Sequence, residues 1–274
     1  NDGESSLLPE DIVVNGEETQ GAGAGQFVKT INNKRMEVKA AGIESITLSS
    51  GDNFLPGPEF DAGVVDGIYY DAVLLDSIDY DALALGNHDF DFGTTVLSEF
   101  INTFETNKAP YVSANLDFSN VPELQTLVDA DRIVKSTIVE KGGEQIGVVG
   151  LTTTILDAIS SPGNTIINDD LVNIAQTEID ALTGDGVNKI ILISHLQGLD
   201  EDKELAKLLS GVDIVIAGGG DELLTNDPTK GAPYNLGQVD VYPIVETDAE
   251  GKDVYIVTTP GNYRFLGNLI VDFD

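Results

Sequence analysis

Runs that are apolar on both faces constrain this chain more than any other feature. Residues 189–194 read Lys-Ile-Ile-Leu-Ile-Ser and residues 212–217 read Val-Asp-Ile-Val-Ile-Ala. Successive strand residues point to opposite sides, so consecutive Val, Ile and Leu mean that both sides are covered. Further strands are expected at 45–49, 82–85, 111–116, 145–151, 254–258 and 266–273. Between them, residues 26–41, 62–76, 94–104, 171–182 and 200–209 carry helical spacing. Leu171, Ile174, Ala175, Ile179 and Leu182 make one stripe, and Asp200 stands where an N-cap would. Strands alternating with amphipathic helices predict a layered α/β fold. From about Asp221 to Tyr242 the pattern weakens into Gly, Pro, Asn and Thr, which suggests a surface loop.

In such sheets, binding and reacting groups gather beyond the carboxyl ends of strands. Gly51-Asp52-Asn53 follows the strand at 45–49, Gly86-Asn87-His88-Asp89 follows 82–85, His195 follows 189–194, and Gly218-Gly219-Gly220-Asp221 follows 212–217. The chain has 2 histidines, and both stand at such ends. Taken singly, each cluster reads as a turn, because Gly, Asn and Asp favour positive φ and Asx turns. Together they offer the carboxylate, amide and imidazole donors that divalent cations take.

The charge balance narrows the partners. Against 14 Lys and Arg stand 47 Asp and Glu, a net of −33 in 274 residues. Duplex nucleic acid binds through clustered cations, so it is not an expected partner, nor is an anionic membrane. Such a surface suits high salt or the collection of divalent cations. Without cysteine there is neither a disulfide nor a thiolate metal site. No run of 18 apolar residues occurs, so no membrane span is expected.

The motifs Ser50-Gly-Asp-Asn-Phe-Leu55, Leu85-Gly-Asn-His-Asp-Phe-Asp-Phe-Gly93, Ile193-Ser-His-Leu196 and Gly261-Asn-Tyr-Arg-Phe-Leu-Gly267 resemble those of the calcineurin-like metallophosphoesterases, in particular their 5′-nucleotidase branch. The resemblance covers nearly the whole chain. It implies a four-layer αββα sandwich with two mostly mixed sheets and a dinuclear metal centre between them. Residues 1–274 would form a single catalytic domain, lacking the family's first strand and its C-terminal nucleotidase domain. Asp52 would bridge the metals, Asn87 and His195 would bind one of them, and His88 would stay off the metal to stabilise charge or donate a proton. The implied reaction is hydrolysis of a phosphate ester by metal-activated hydroxide. A phosphate monoester meeting a chain of charge −33 also needs local cations on electrostatic grounds alone.

The chain departs from the family's pattern at both ends of the site. Asn1-Asp2-Gly3-Glu4 stands where Asn-Asp-x-His is expected, so Glu4 replaces a histidine. Gly218-Gly219-Gly220-Asp221 stands where Gly-His-x-His is expected, which empties position 219 and exchanges the second histidine for Asp221. The expected ligand sets are Asp2, Glu4, Asp52 and Asp221 for one metal, and Asp52, Asn87 and His195 for the other. The all-oxygen set favours Ca²⁺, Mg²⁺ or Mn²⁺ over Zn²⁺. The second set lacks a ligand. Gln197 lies close in sequence, but the expectation is a solvated surface glutamine.

The expected activity is that of a phosphomonoesterase or 5′-nucleotidase acting on a phosphate ester or nucleotide. The alternative is a catalytically degenerate module that binds Ca²⁺ or a ligand within a larger secreted protein. The family's habit and the acidic surface imply an extracellular or periplasmic location. Tyr69, Tyr70 and Tyr234 could stack on a base, but packing roles are expected for them.

Overall fold

The computed structural model describes residues 1–14, 16–21, 23–104 and 109–273. Its largest sheet has six strands in the order Ile244–Thr247, Asp253–Val257, Ile214–Gly218, Ile190–His195, Glu144–Thr152 and Ser136–Lys141. The inner neighbours pair parallel and the two edge strands antiparallel. A second sheet has four short parallel strands, Leu48–Ser49, Ala82–Ala84, Tyr111–Val112 and Ile133–Val134. The larger sheet is thus mixed and the smaller one parallel.

The double-sided apolar runs now have a physical cause. Along Ile190–His195, Ile191 and Ile193 face the second sheet, whereas Ile190 and Leu192 face helices. Ile214 and Ile216 alternate with Val215 and Ala217 in the same way, as do Tyr255 and Val257 with Val254 and Ile256. In the smaller sheet Ala82 and Ala84 look inward, while Leu83 and Leu85 look out to a helical layer. Helices Leu171–Gly184 and Leu199–Leu208 cover the larger sheet with Ala175, Ile179, Leu182, Leu205 and Ala206. Helices including Tyr70–Ile78 and Gly93–Asn102 cover the smaller one through Leu75, Ile78, Leu97, Phe100 and Ile101. This is the expected αββα stack, with a separate apolar layer at each of its interfaces.

Some elements differ from the sequence reading. Residues 62–76 do not form one helix: Pro58–Asp66 ends at a left-handed Gly67, and Tyr70–Ile78 starts anew. Asp200 is not the cap of its helix, which begins at Leu199 after Gly198; it lies in the first turn with Glu201 and Asp202, where acids favour the helix dipole. Residues 266–273 form no strand, although Leu269 and Val271 still pack, partly buried, against the inter-sheet layer. The hairpin Glu10–Val14 with Glu17–Gly21 and the edge strand Ser136–Lys141 were not anticipated. The hairpin is largely solvent-exposed and the edge strand only partly buried, so both lack the double-sided apolar signal. Tyr69 packs against Phe60 and Phe100, and Tyr234 against Phe265, as packing residues do.

The two sheets meet backbone to backbone at Gly150. A Cβ there would lie 2.2 Å from the Val112 carbonyl oxygen, and Ala114 N–H donates to the Gly150 carbonyl at 2.7 Å. Backbone meets backbone, so no rotamer change can relieve the clash. Gly150→Ala should therefore cost about 1–3 kcal/mol, as overpacking of a close-packed interior does. The expected outcome is a lower urea midpoint with an unchanged m-value; an unaltered midpoint would mean that the sheets are not held at this spacing.

Candidate metal centre

Parallel strands send all their carboxyl ends the same way, and the segments leaving both sheets converge. His195, the last residue of its strand, is fully buried. Its Nδ1 is 2.7 Å from the Ser50 carbonyl oxygen, an acceptor only, so the proton sits on Nδ1. Nε2 then faces Asp52 Oδ2 at 3.1 Å and Asn87 Oδ1 at 3.1 Å. Asp52 Oδ1 accepts the His88 backbone N–H at 2.8 Å. One carboxylate thus joins the strand ends that carry both histidines.

Residues 1–6 lie across this edge. Asp2 N–H donates to the Gly51 carbonyl at 3.2 Å and Glu4 N–H to the Asp52 carbonyl at 3.1 Å. Asn262, in the closing Gly261-Asn-Tyr-Arg motif, donates from Nδ2 to Glu4 Oε2 at 2.9 Å and from its backbone to the Asp2 carbonyl at 2.7 Å. Asp2, Glu4, Ser5 and Asp52 take left-handed φ values of 45°, 50°, 54° and 49°. Outside glycine such conformations cost roughly 1–3 kcal/mol each and collect at sites that need one particular aim of the side chain.

The electrostatics call for a cation. Burial pushes Asp2 up to about 7, with the neighbouring Asp52 and Glu4 charges adding to the rise. Glu4 is raised by burial, Asp52 and Asp221. Burial would raise Asp52 too, but the charge and hydrogen bond of His195, helped by His88, hold it below its ordinary value. Burial would lower His195, yet Asp52 and Asp2 lift it to about 10. With protons as the only cations, the carboxylates hold the imidazole charged. A divalent ion suits the same position better, because it meets several oxygens at once.

Two donor groups, with ligand atoms all within 4.8 Å of one another, fit such ions: Asp2, Asp52 and His195, and Glu4, Asp52 and His88. Asp52 is common to both, as a bridging ligand would be. This grouping differs from the expected one. Asp2 falls on the His195 side, with Oδ1 at 3.9 Å from Nδ1. Asp221 lies in neither group: it is exposed, and its Oδ1 accepts the Gly261 N–H at 2.9 Å. The turn after Ile214–Gly218 carries Asp221 to the rim, where its charge reaches Glu4 without its oxygens joining the donors.

Other contributors were not anticipated. His88 Nδ1 is 2.6 Å from Asp91 Oδ2, and Asp91 Oδ1 accepts from Ser160 Oγ at 2.8 Å. Asp91 follows His88 by three residues inside a motif already singled out, so spacing was an available signal. Asp89 is buried and ties two strand ends together, accepting Asn53 N–H at 3.0 Å and Gly86 N–H at 2.8 Å. Gln197 is half-buried rather than solvated, and its Nε2 donates to Asn87 Oδ1.

No family model matches the chain. The mouse 5′-nucleotidase is 33% identical over 169 residues, which is 61% of this chain and 28% of that protein. A 5′-nucleotidase precursor from Thermus thermophilus superposes with a TM-score of 0.81 at 32% identity, over 96% of this chain and 48% of that one. The NAD nucleotidase of Haemophilus influenzae gives 0.77 at 26% identity, over 96% and 49%. The chain spans about a quarter of the curated relative and about half of each solved structure. With the strand-end motifs, the αββα stack and this likeness together, the chain is a relative of the 5′-nucleotidases and shares their metallophosphoesterase fold.

Proposed function

We propose that the chain hydrolyses phosphate esters, nucleoside monophosphates among them, with divalent cations held by Asp2, Glu4, Asp52, Asn87 and His195. The observation that carries this reading is the His88–Asp91 pair standing beside the Asp52-centred acid pocket. Such ions, when bound, would offset the charge of the phosphate and make water a stronger nucleophile at neutral pH. The donors are mostly oxygen, which favours Mg²⁺, Mn²⁺ or Ca²⁺ over Zn²⁺. Asp221, at the rim, is proposed to act through its hydrogen bond to Gly261 rather than as a direct ligand.

The chain's own residues then divide the work. Asp91 holds Nδ1 of His88 and fixes the ring, so although His88 stands within reach of Glu4 and Asp52, its Nε2 is read as serving the substrate rather than a cation. Burial would lower His88, but the Asp52 and Asp91 carboxylates raise it, which favours the protonated ring. In that form Nε2–H can donate to the ester oxygen as it leaves. Asn87 and Asp52 are braced by His195, Gln197 and the His88 backbone, so the donors are set before substrate arrives. A degenerate module would have no call for an ordered His88–Asp91–Ser160 chain.

The likeness to 5′-nucleotidases supports nucleotides as the substrate class. The greater length of those relatives supports a parent protein with further domains. Residues 1–274 are read as one catalytic unit, and the net charge of −33 suits an extracellular or periplasmic setting. No helix among the described residues is long and apolar enough to cross a membrane.

Turnover of p-nitrophenyl phosphate and AMP tests the reading. His88→Ala should lower kcat by about 10² or more, in line with the worth of general acid assistance, and still bind metal. Asp91→Asn should fall between wild type and His88→Ala, since the ring stays but is less well held. Dialysis against EDTA should abolish activity, and Mn²⁺ or Mg²⁺ should restore it more fully than Zn²⁺. Absence of metal-dependent turnover above the His88→Ala background would end the enzymatic reading.

A further inference from the structure

On the Nε2 side of His195 the Asp52 and Asn87 donors are one ligand short, because Asp2 meets the ring at Nδ1, 3.9 Å away, and Gly219 stands where the family pattern has a histidine. That space is taken. Gly219 adopts φ 86°, and a Cβ on it would lie 2.8 Å from Gln197 N and 3.0 Å from Gln197 Nε2. A side chain at 219 and Gln197 in its present place exclude each other. Gln197 itself holds a left-handed φ of 75°, an unusual conformation for a residue with a long side chain. That backbone turn brings its amide onto Asn87 Oδ1, the atom that also meets His195 Nε2 at 3.1 Å. His195 Nε2 is in turn 3.1 Å from Asp52 Oδ2. The Gln197 amide and three candidate donors therefore share one small volume.

We propose that Gln197 is the ligand that replaces the missing histidine. In the cation-free arrangement the amide N–H and the His195 N–H point at Asn87 Oδ1 and Asp52 Oδ2, doing with protons what a cation does with charge. Rotating the amide half a turn exchanges Nε2 for Oε1 at little steric cost, since the two ends have nearly the same shape. Gln197 Oε1, Asn87 Oδ1 and Asp52 Oδ2 then face one point together with His195 Nε2, whose lone pair becomes available when a cation displaces its proton to solvent, Nδ1–H remaining donated to Ser50. This set has one nitrogen and three oxygens, two of them amide carbonyls. It is harder than a two-histidine site, which shifts preference further toward Mn²⁺ or Mg²⁺.

The inference rests on the metal-dependent reading, and direct ion counting separates the two. Metal-stripped protein is titrated with Mn²⁺, heat is measured by calorimetry and free Mn²⁺ is counted by its EPR signal. Wild type should bind two ions. Gln197→Ala should keep one near its wild-type affinity and weaken the other about tenfold or more, a loss at least as large as that from disturbing a ligand's support. Gln197→Glu should retain both. Should Gln197→Ala lose its thermal transition, Gln197→Asn, which keeps the amide but not the reach, should show the same selective weakening. Two ions bound at wild-type affinity by Gln197→Ala, or by Gln197→Asn where the alanine variant is unfolded, would overturn the role of Gln197 alone. A wild-type protein that binds no Mn²⁺ would overturn both this assignment and the metal-dependent reading.

Discussion

The Asp52 carboxylate is the interaction on which the rest of the site depends. It is buried at 3% exposure, sits at a left-handed backbone position, and accepts from the backbone of one strand-end loop and the imidazole of another. Acids come at it from a third direction, since Asp2 and Glu4 both fall within its group of donors. Like charges about 4 Å apart repel by roughly 4 kcal/mol at an effective dielectric constant of about 20. A fold that gathers several such groups needs compensating positive charge, and in this chain few lysines and arginines are available to supply it. His195 provides part of it, and divalent ions would provide the rest.

That arrangement is possible because the sheets share an inner layer. Ala82 and Ala84 from one sheet meet Ile191 and Ile193 from the other, and Gly150 lets the backbones touch near Val112. Small residues on one side and branched residues on the other set a short spacing. The same short spacing brings Ser50, at the end of one sheet, within hydrogen-bond reach of His195, at the end of the other. Packing in the layer and geometry at its rim are thus one constraint seen at two places.

Much of the site was legible before folding was considered. Gly51-Asp52, Gly86-Asn87-His88 and His195 each follow a strongly apolar run, and polar residues just past a buried strand have few other places to go. Asp2 and Glu4 were legible only by their resemblance to a family motif, since no apolar run precedes them. What Gln197, Asn262 and Asp89 bind was not legible, although all three lie in or beside the motifs, because the value of an amide or a lone acid depends on what stands opposite it. Their partners lie 110, 258 and 36 residues away. Asp221 shows the converse, a residue whose place in a motif suggested a ligand while its Oδ1 accepts from Gly261 at the rim.

By itself the sequence determined the layered architecture, for a strand apolar on both faces must be covered on both faces, and the helices between such strands are the only elements able to cover them. It also determined which strand ends gather polar side chains. Tertiary structure alone decided how the donors are divided, placing Asp2 with His195, Glu4 with His88, Gln197 over Gly219 and Asp221 outside. The physical reason is that ligand geometry depends on ångström-scale offsets between the sheets and on single backbone dihedrals at Asp2, Glu4, Asp52 and Gln197. Hydrophobic periodicity carries no information about either.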